Sequence, residues 1–255
     1  MRDCYVVRVF TRGDAGGNHL GVVPDIAGLD TEAMQRIAND LGFSETIFID
    51  RNETVPAARI FTPAVELPFA GHPLVGAAWV LDRLAPGSAD RLSCPAFVVR
   101  QRVDGGLTWV DLPLGQPVDE IEPPGGFSAV SAAVVRMPLP YLVLQLPDPT
   151  AVARATASVP DGYGEVYIWA WETEPTSVRA RFFAPEAGVM EDPATGSAAV
   201  ALAALLRHRG TDRGALRVQQ GDEIGHPSTI ELSWAGDEAS IGGTVRQDEV
   251  RVLDS

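Results

Sequence analysis

The chain has 255 residues, 45% of them hydrophobic, and 34 Asp and Glu against 20 basic side chains give a formal charge of −14. The length exceeds the roughly 100–200 residues of one average domain, so one large or two smaller domains are expected. The acidic excess counts against nucleic acid and anionic membranes as partners, since both need a basic surface, but a small anionic substrate can still be held by a local dipolar or cationic pocket.

Tyr5–Phe10 alternates and is β-branched, a strand pattern. Gly13–Gly21 reads as a glycine-rich loop. Thr31–Leu41 reads as a helix, with Ala33, Met34, Ile37, Ala38 and Leu41 at helical spacing and Gly42 as a C′ stop. Strands are predicted at Thr46–Asp50 and Ala58–Phe61, a helix at Pro73–Leu84, and strands at Phe97–Val103 and Leu107–Leu112. Pro113–Gly126, rich in Pro, Gly and acids, reads as a linker. Strands follow at Ala132–Arg136, Tyr141–Leu146, Val166–Ala170 and Val178–Phe183, then a helix at Pro193–His208 and strands at Thr229–Leu232 and Glu249–Leu253.

The Pro73 and Pro193 helices resemble each other. Gly71-His-Pro-Leu-Val-Gly76-Ala77-Ala78 and Asp192-Pro-Ala-Thr-Gly196-Ser197-Ala198-Ala199 are both small-residue-rich at the start, carry an early proline and run on apolar nearly all round, as a helix buried on every side does. Two such helices at matching places predict an α+β fold of two similar halves, 1–115 and 116–255, each a sheet wrapped around its central helix. The last strand is free to return to the first half.

There is no lysine in the chain. Schiff-base enzymes, ordinary pyridoxal-phosphate chemistry and the lysine-bearing phosphate loop are thereby excluded. Cys4 and Cys94 form no CxxC, so neither a disulfide framework nor a cysteine zinc site is expected. His19, His72, His208 and His226 show no metal-ligand spacing. No GxGxxG or GxSxG occurs. The N-terminal MRDCYVVRVF lacks a signal-peptide core. Leu67–Leu81 and Pro193–Leu206, the longest uncharged stretches, fall short of the ~20 residues of a membrane helix. A soluble cytoplasmic enzyme without metal or cofactor is the expectation.

Helix N-termini offer free N–H groups and a partial positive charge. Two central helices that started face to face would make a cleft suited to a carboxylate, and Gly71 and Gly196 would let backbone approach a ligand. Each glycine also reads simply as a turn or packing residue. Glu45 opens an apolar strand, where desolvation would raise its pKa toward an acid/base range, although a solvated loop glutamate fits the same pattern. Asp192 reads as an N-cap of the second helix. His72 sits at the mouth of the first.

Four segments together resemble the phenazine-biosynthesis PhzF-like family. They are Phe10-Thr11…Gly17-Asn18…Leu20-Gly21-Val22-Val23, Phe43-Ser44-Glu45-Thr46-Ile47-Phe48, Arg59-Ile60-Phe61-Thr62-Pro63…Glu66-Leu67-Pro68-Phe69-Ala70-Gly71-His72-Pro73 and Glu191-Asp192-Pro193-Ala194-Thr195-Gly196-Ser197-Ala198. The resemblance implies the diaminopimelate-epimerase-like fold, with two pseudo-symmetric halves and the active site in the cleft between them. It implies Glu45 as the catalytic acid/base, His72 and Asp192 as further catalytic residues, and Asn18, Ser44, Gly71, Gly196 and Ser197 around a small carboxylate-bearing substrate. It also implies a homodimer and proton transfer without cofactor or metal. A racemase on the same fold and a non-catalytic metabolite-binding protein are the alternatives. The chain departs from the family pattern at His19, commonly proline, and at His226, often arginine.

Overall fold

The structure, a computed structural model, describes residues 1–138 and 140–253. It divides into two units, one formed by Met1–Thr11, Asn18–Leu112 and the stretch from Gly242, the other by Arg12–Gly17 and Pro113–Ile241.

In the first unit, β1 (Arg2–Val9) pairs antiparallel with β2 (Asn18–Val23), and α1 (Thr31–Leu41) crosses over to β3 (Glu45–Asp50), parallel to β2. β4 (Ala57–Phe61) runs antiparallel to β3 and pairs with the short β5 (Glu66–Leu67). Helix α2 (Gly71–Leu84) then leads to β6 (Arg91–Ser93), parallel to β4, and a meander of β7 (Val98–Asp104) and β8 (Leu107–Pro113) follows.

The second unit repeats this plan. β9 (Val118–Ile121) pairs with β10 (Ser131–Arg136), which is antiparallel to β11 (Pro140–Gln145). Helix α3 (Pro149–Arg154) crosses over to β12 (Val166–Thr173), parallel to β11. β13 (Ser177–Ala184) is antiparallel to β12 and pairs with β14 (Val189–Asp192). Helix α4 (Gly196–His208) leads to β15 (Arg213–Gln220), parallel to β13, and β16 (Ser228–Ala235) and β17 (Glu238–Gly243) complete the meander. β18 (Val245–Leu253) returns to β1, antiparallel. Each unit thus contains two parallel strand–helix–strand crossovers in the same order.

The helices follow from local chemistry. Asp30 and Asp148 cap α1 and α3, each side chain accepting the N–H three residues on, from Ala33 and Ala151 at 2.8 Å. Gly42 ends α1 in the left-handed conformation (φ 67°), its N–H returning to Ala38 O. α1 packs Met34 and Ala38 onto Val23, Phe48 and Phe61, and α3 packs Val152 onto Leu142, Leu144 and Ile168. The central helices behave differently. Gly71–Ala78 in α2 and Gly196–Leu206 in α4 are buried without a break, which leaves neither a wet face and adds about 1.5–3 kcal/mol for each large aliphatic side chain withdrawn from water.

The sequence-based boundaries hold for the long elements and fail where the signal is short. Asn18–Gly21, read as loop, is the start of β2. The expected linker contains β9, whose two apolar residues, Val118 and Ile121, are too few to show a period. α4 begins at Gly196 rather than Pro193, because Asp192 closes β14 and Thr195 occupies the N-cap position. α3, β5, β6, β14, β15 and β17 carry too few apolar residues to be read. Among the described residues no helix is long and apolar enough to cross a membrane.

Gly76 is where α2 lies nearest its sheet. A Cβ there would collide with Leu20 Cδ2 and sit 3.0 Å from Val9 Cγ2. Gly76→Val is expected to cost about 2 kcal/mol through overpacking despite its better helix propensity, read as a lower urea midpoint with an unchanged m-value.

Candidate functional site

Parallel strands begin at the same edge of a sheet, so the β2–α1–β3 crossover brings the first residues of β2 and β3 together. Leu20 pairs with Glu45 in the ladder, and Asn18 lies two residues upstream. The first turn of α2 arrives at the same place. Ser44 Oγ donates to Asn18 Oδ1 at 3.1 Å, which orients the amide so that its Nδ2 points to His72 Nδ1 at 3.4 Å. An amide N–H only donates, so His72 accepts at Nδ1 and carries its proton on Nε2. That nitrogen stands 3.5 Å from Glu45 Oε2. The structure therefore brings Asn18, Ser44, Glu45, Gly71 and His72 into one constellation in the first unit.

The Glu45 side chain is only 16% exposed, and its Oε2 is shielded from water with no hydrogen bond among the described residues. Burial pushes its pKa up to about 7, against a smaller lowering from the neighbouring Ser44 side chain. The solvated-glutamate reading does not survive this placement. The N-cap residue of α2, Ala70, makes no side-chain cap, and the first N–H groups have no intrahelical acceptor.

In the second unit, the segment from Glu191 to Ser197 is held from several sides. Asp192 is buried, and its Oδ2 accepts from Thr195 Oγ1 at 2.6 Å. Asp192 therefore does not cap α4, since the hydroxyl of the real N-cap, Thr195, is turned back onto it. Thr195 makes no side-chain cap of its own, leaving the α4 start as open as that of α2. Ser197 Oγ lies 2.9 Å from Tyr141 Oη, and both residues are buried. Gly196 opens the helix beside them. Glu191 forms a buried bidentate pair with Arg181 (2.9 and 2.7 Å), and Arg181 Nη1 also donates to Ala155 O at the end of α3 (2.6 Å).

Three residues here escaped the sequence reading: Tyr141, Thr195 and the fully buried Gln220, which holds Asp192 and Thr195 from β15. A signal for Gln220 existed. It continues the buried positions Leu216 and Val218 at period two, and a polar residue in such a register needs partners.

His19 stacks on Phe43 at 5.8 Å and lies 3.6 Å from Asp248 Oδ2. His226 sits in the turn after Asp222–Ile224, its backbone N–H on Gly221 O at 2.9 Å. Cys4 lies in the α1-covered core, where burial pushes its thiol up to about 12, and Cys94 is raised by burial too. Neither is a thiolate near neutral pH. Among the described residues no three His, Cys, Asp or Glu gather as metal ligands.

Residues 7–98 and 144–251 match the family described as phenazine biosynthesis-like protein. The chain is 34% identical to a trans-2,3-dihydro-3-hydroxyanthranilate isomerase of Pseudomonas aeruginosa, over 90% of this chain and 89% of that one. Its fold is similar to the crystal structure of a PhzF family phenazine biosynthesis protein of Enterococcus faecalis, with a TM-score of 0.84, 22% identity and 99% coverage of both chains. It is also similar to a Pseudomonas aeruginosa structure described as a predicted epimerase, with a TM-score of 0.79, 26% identity and 100% coverage of both.

The Glu45 environment carries a stability signature. Below pH 4.5 the group is protonated in folded and unfolded chains alike; from there to about pH 7 the unfolded chain releases a proton that the folded one keeps. The parent should therefore lose up to about 3 kcal/mol relative to Glu45→Gln as the pH rises through that window, with a plateau above it. Urea unfolding of both proteins from pH 4 to 8 reads the difference, and a pH-independent gap would contradict a buried, protonated carboxyl.

Proposed function

The chain belongs to the phenazine biosynthesis-like family, whose relatives include isomerases, and on that premise we propose that it isomerises a small carboxylate-bearing metabolite by moving one proton, without cofactor or metal, through Glu45. The observation that carries this reading is the Glu45 carboxyl itself. It is mostly buried, its pKa is raised to about 7, and it stands beside His72 at an uncapped helix start. A group that must take a proton and give it back works best when its pKa lies near the working pH.

In the proposed reaction Glu45 removes a proton from a substrate carbon acidified by conjugation with the carboxylate. The double bond shifts, and the protonated Glu45, whose acid proton exchanges with solvent, delivers a proton to another carbon. Proton and electron counts balance within the substrate, so no oxidant or reductant is required. His72, with its proton on Nε2, steadies the ionised form of Glu45, while Asn18 and Ser44 fix the imidazole. Gly71, Gly196, Ser197 and the first N–H groups of the central helices are the proposed carboxylate donors, and Asp192 is the proposed second proton-handling or orienting group.

A racemase needs a base on each face of one carbon. The β12 residue at the ladder position matching Glu45 is Val166, paired with Leu142 as Glu45 is with Leu20. The duplicated plan thus supplies no second glutamate there, which favours one base serving two carbons. The relative's substrate, trans-2,3-dihydro-3-hydroxyanthranilate, is the first compound to test. His226, standing where the family often has arginine, alters the donor available to an acidic group, so the proposal rests at the level of substrate class. A homodimer is part of the proposal and is read by sedimentation at micromolar concentration.

Incubation in D2O with trans-2,3-dihydro-3-hydroxyanthranilate and related unsaturated carboxylates, followed by NMR, should show deuterium entering one of them at a shifted position. Glu45→Gln should lower kcat at least about 100-fold with a small change in ligand affinity, and kcat/KM of the parent should rise with pH through an apparent pKa near 7. A Glu45→Gln protein exchanging at the parent rate would end the assignment. The Cys4→Ala, Cys94→Ala double variant, once shown to be folded, should turn over at the parent rate, whereas a thiol-based racemase would be inactivated.

A further inference from the structure

Gln220 ends β15 with no exposed surface, and among the described residues its side-chain hydrogen bonds go to the Asp192–Thr195 turn. Its Nε2 donates to Asp192 O at 2.7 Å and to Thr195 Oγ1 at 3.0 Å, and its Oε1 accepts from the Thr195 N–H at 3.4 Å. These contacts dictate where the Thr195 proton goes. A hydroxyl has one proton. With an amide N–H aimed at its oxygen, Thr195 accepts from Gln220 and spends its own proton on Asp192 Oδ2, 2.6 Å away.

The approach is close. Gly221, at φ +83°, has no room for a side chain, since a Cβ would clash with His226 O and lie 2.7 Å from Pro193 O. The end of β15 therefore presses directly on the backbone of the turn. A glutamine serving the backbone alone would need only Asp192 O and the Thr195 N–H. The third bond extends the chain through a hydroxyl to a carboxylate.

We propose that Gln220 and Thr195 are positioning residues for the reaction, a two-step relay that orients the Asp192 carboxylate through its Oδ2 for substrate. The inference rests on the reading of Asp192 and Ser197 as substrate-facing groups. The relay acts on a side chain and leaves the α4 N–H groups in place, so its loss should appear in kcat rather than in KM. Because Gln220 reaches the carboxylate through the Thr195 hydroxyl, the two residues should act as one unit.

The test uses the full chain with trans-2,3-dihydro-3-hydroxyanthranilate, together with crystal structures of the parent and variants. Thr195→Val is expected to lower kcat about tenfold or more with KM changed less than about threefold, a split matching loss of an interaction made in the transition state. Thr195→Ser, which keeps the hydroxyl, should retain the parent kcat. Gln220→Met should fall with Thr195→Val, and the double variant should be no worse than Gln220→Met alone. In the crystal, the Asp192 carboxylate should turn away from its parent rotamer in Thr195→Val.

Parent kcat in Thr195→Val, additive losses in the double variant, or an unmoved Asp192 carboxylate would each overturn the relay. Should Gln220→Met fail to fold, the Thr195→Val and Thr195→Ser pair and the crystal structures still decide it. Asp192→Asn and Ser197→Ala separate the two levels of the argument. If both keep parent kinetics the substrate-facing reading falls; if both are impaired while Thr195→Val is not, only the relay falls.

Discussion

An α-helix apolar on every side can exist in water only if something wraps it, and both central helices of this protein are of that kind. α2 and α4 bury their first turns as completely as their middles, so each unit is built as strands around a helix rather than as a helix laid on a sheet. The four parallel crossovers follow from this demand, because a chain that leaves a strand through a helix and returns parallel delivers the helix start to the edge where the next strand begins. Residues scattered over more than fifty positions, from Asn18 through Glu45 to His72, meet for that reason. Neither central helix has a side-chain cap from its N-cap residue, so the first backbone N–H groups of each lack an acceptor within the helix.

The chemistry of Glu45 is a by-product of the same wrapping. A carboxylate at the first position of β3 stands next to an enclosed helix and is withdrawn from water. The price of that withdrawal is a pKa near 7, which in a surface glutamate would not arise. Its surroundings are economical. One amide, oriented by one serine hydroxyl, sets the tautomer of one histidine, and no buried cation is required to hold the ionised form.

The two units share a topology strand for strand but have diverged in what they place at the equivalent points. Where the first unit has an acid on a strand and a histidine in the helix, the second has Val166 on the strand and Ser197 in the helix, with Tyr141 on Ser197. Its acid, Asp192, comes from the end of β14 and is hydrogen-bonded through Thr195 to Gln220. A duplicated scaffold has thus kept its two helix mouths and assigned different side-chain chemistry to each. In the second, the acid is enclosed as well, and hydrogen bonding from β15 is added to that enclosure.

By itself the sequence determined the fold class, the pairing of the two central helices, and the identity of Glu45, His72, Asp192 and Ser197 as candidates, because apolar period and motif spacing are local properties written along the chain. The α1 helix was legible to the residue, since its apolar period and glycine stop are both local. Only the tertiary structure decided that Glu45 is desolvated, that Asp192 closes a strand instead of capping α4, and that β9 and β15 exist. Desolvation is a sum over neighbours from distant segments. Which residue takes the N-cap position depends on how the turn between β14 and α4 closes, and it is Thr195, whose hydroxyl goes to Asp192 instead of the helix. An edge strand with two apolar residues is fixed by the partner that completes its ladder. Gln220 belongs in part to the same class: period two marks it as buried, but its partners lie in a turn 25 to 28 residues upstream, which no local pattern identifies.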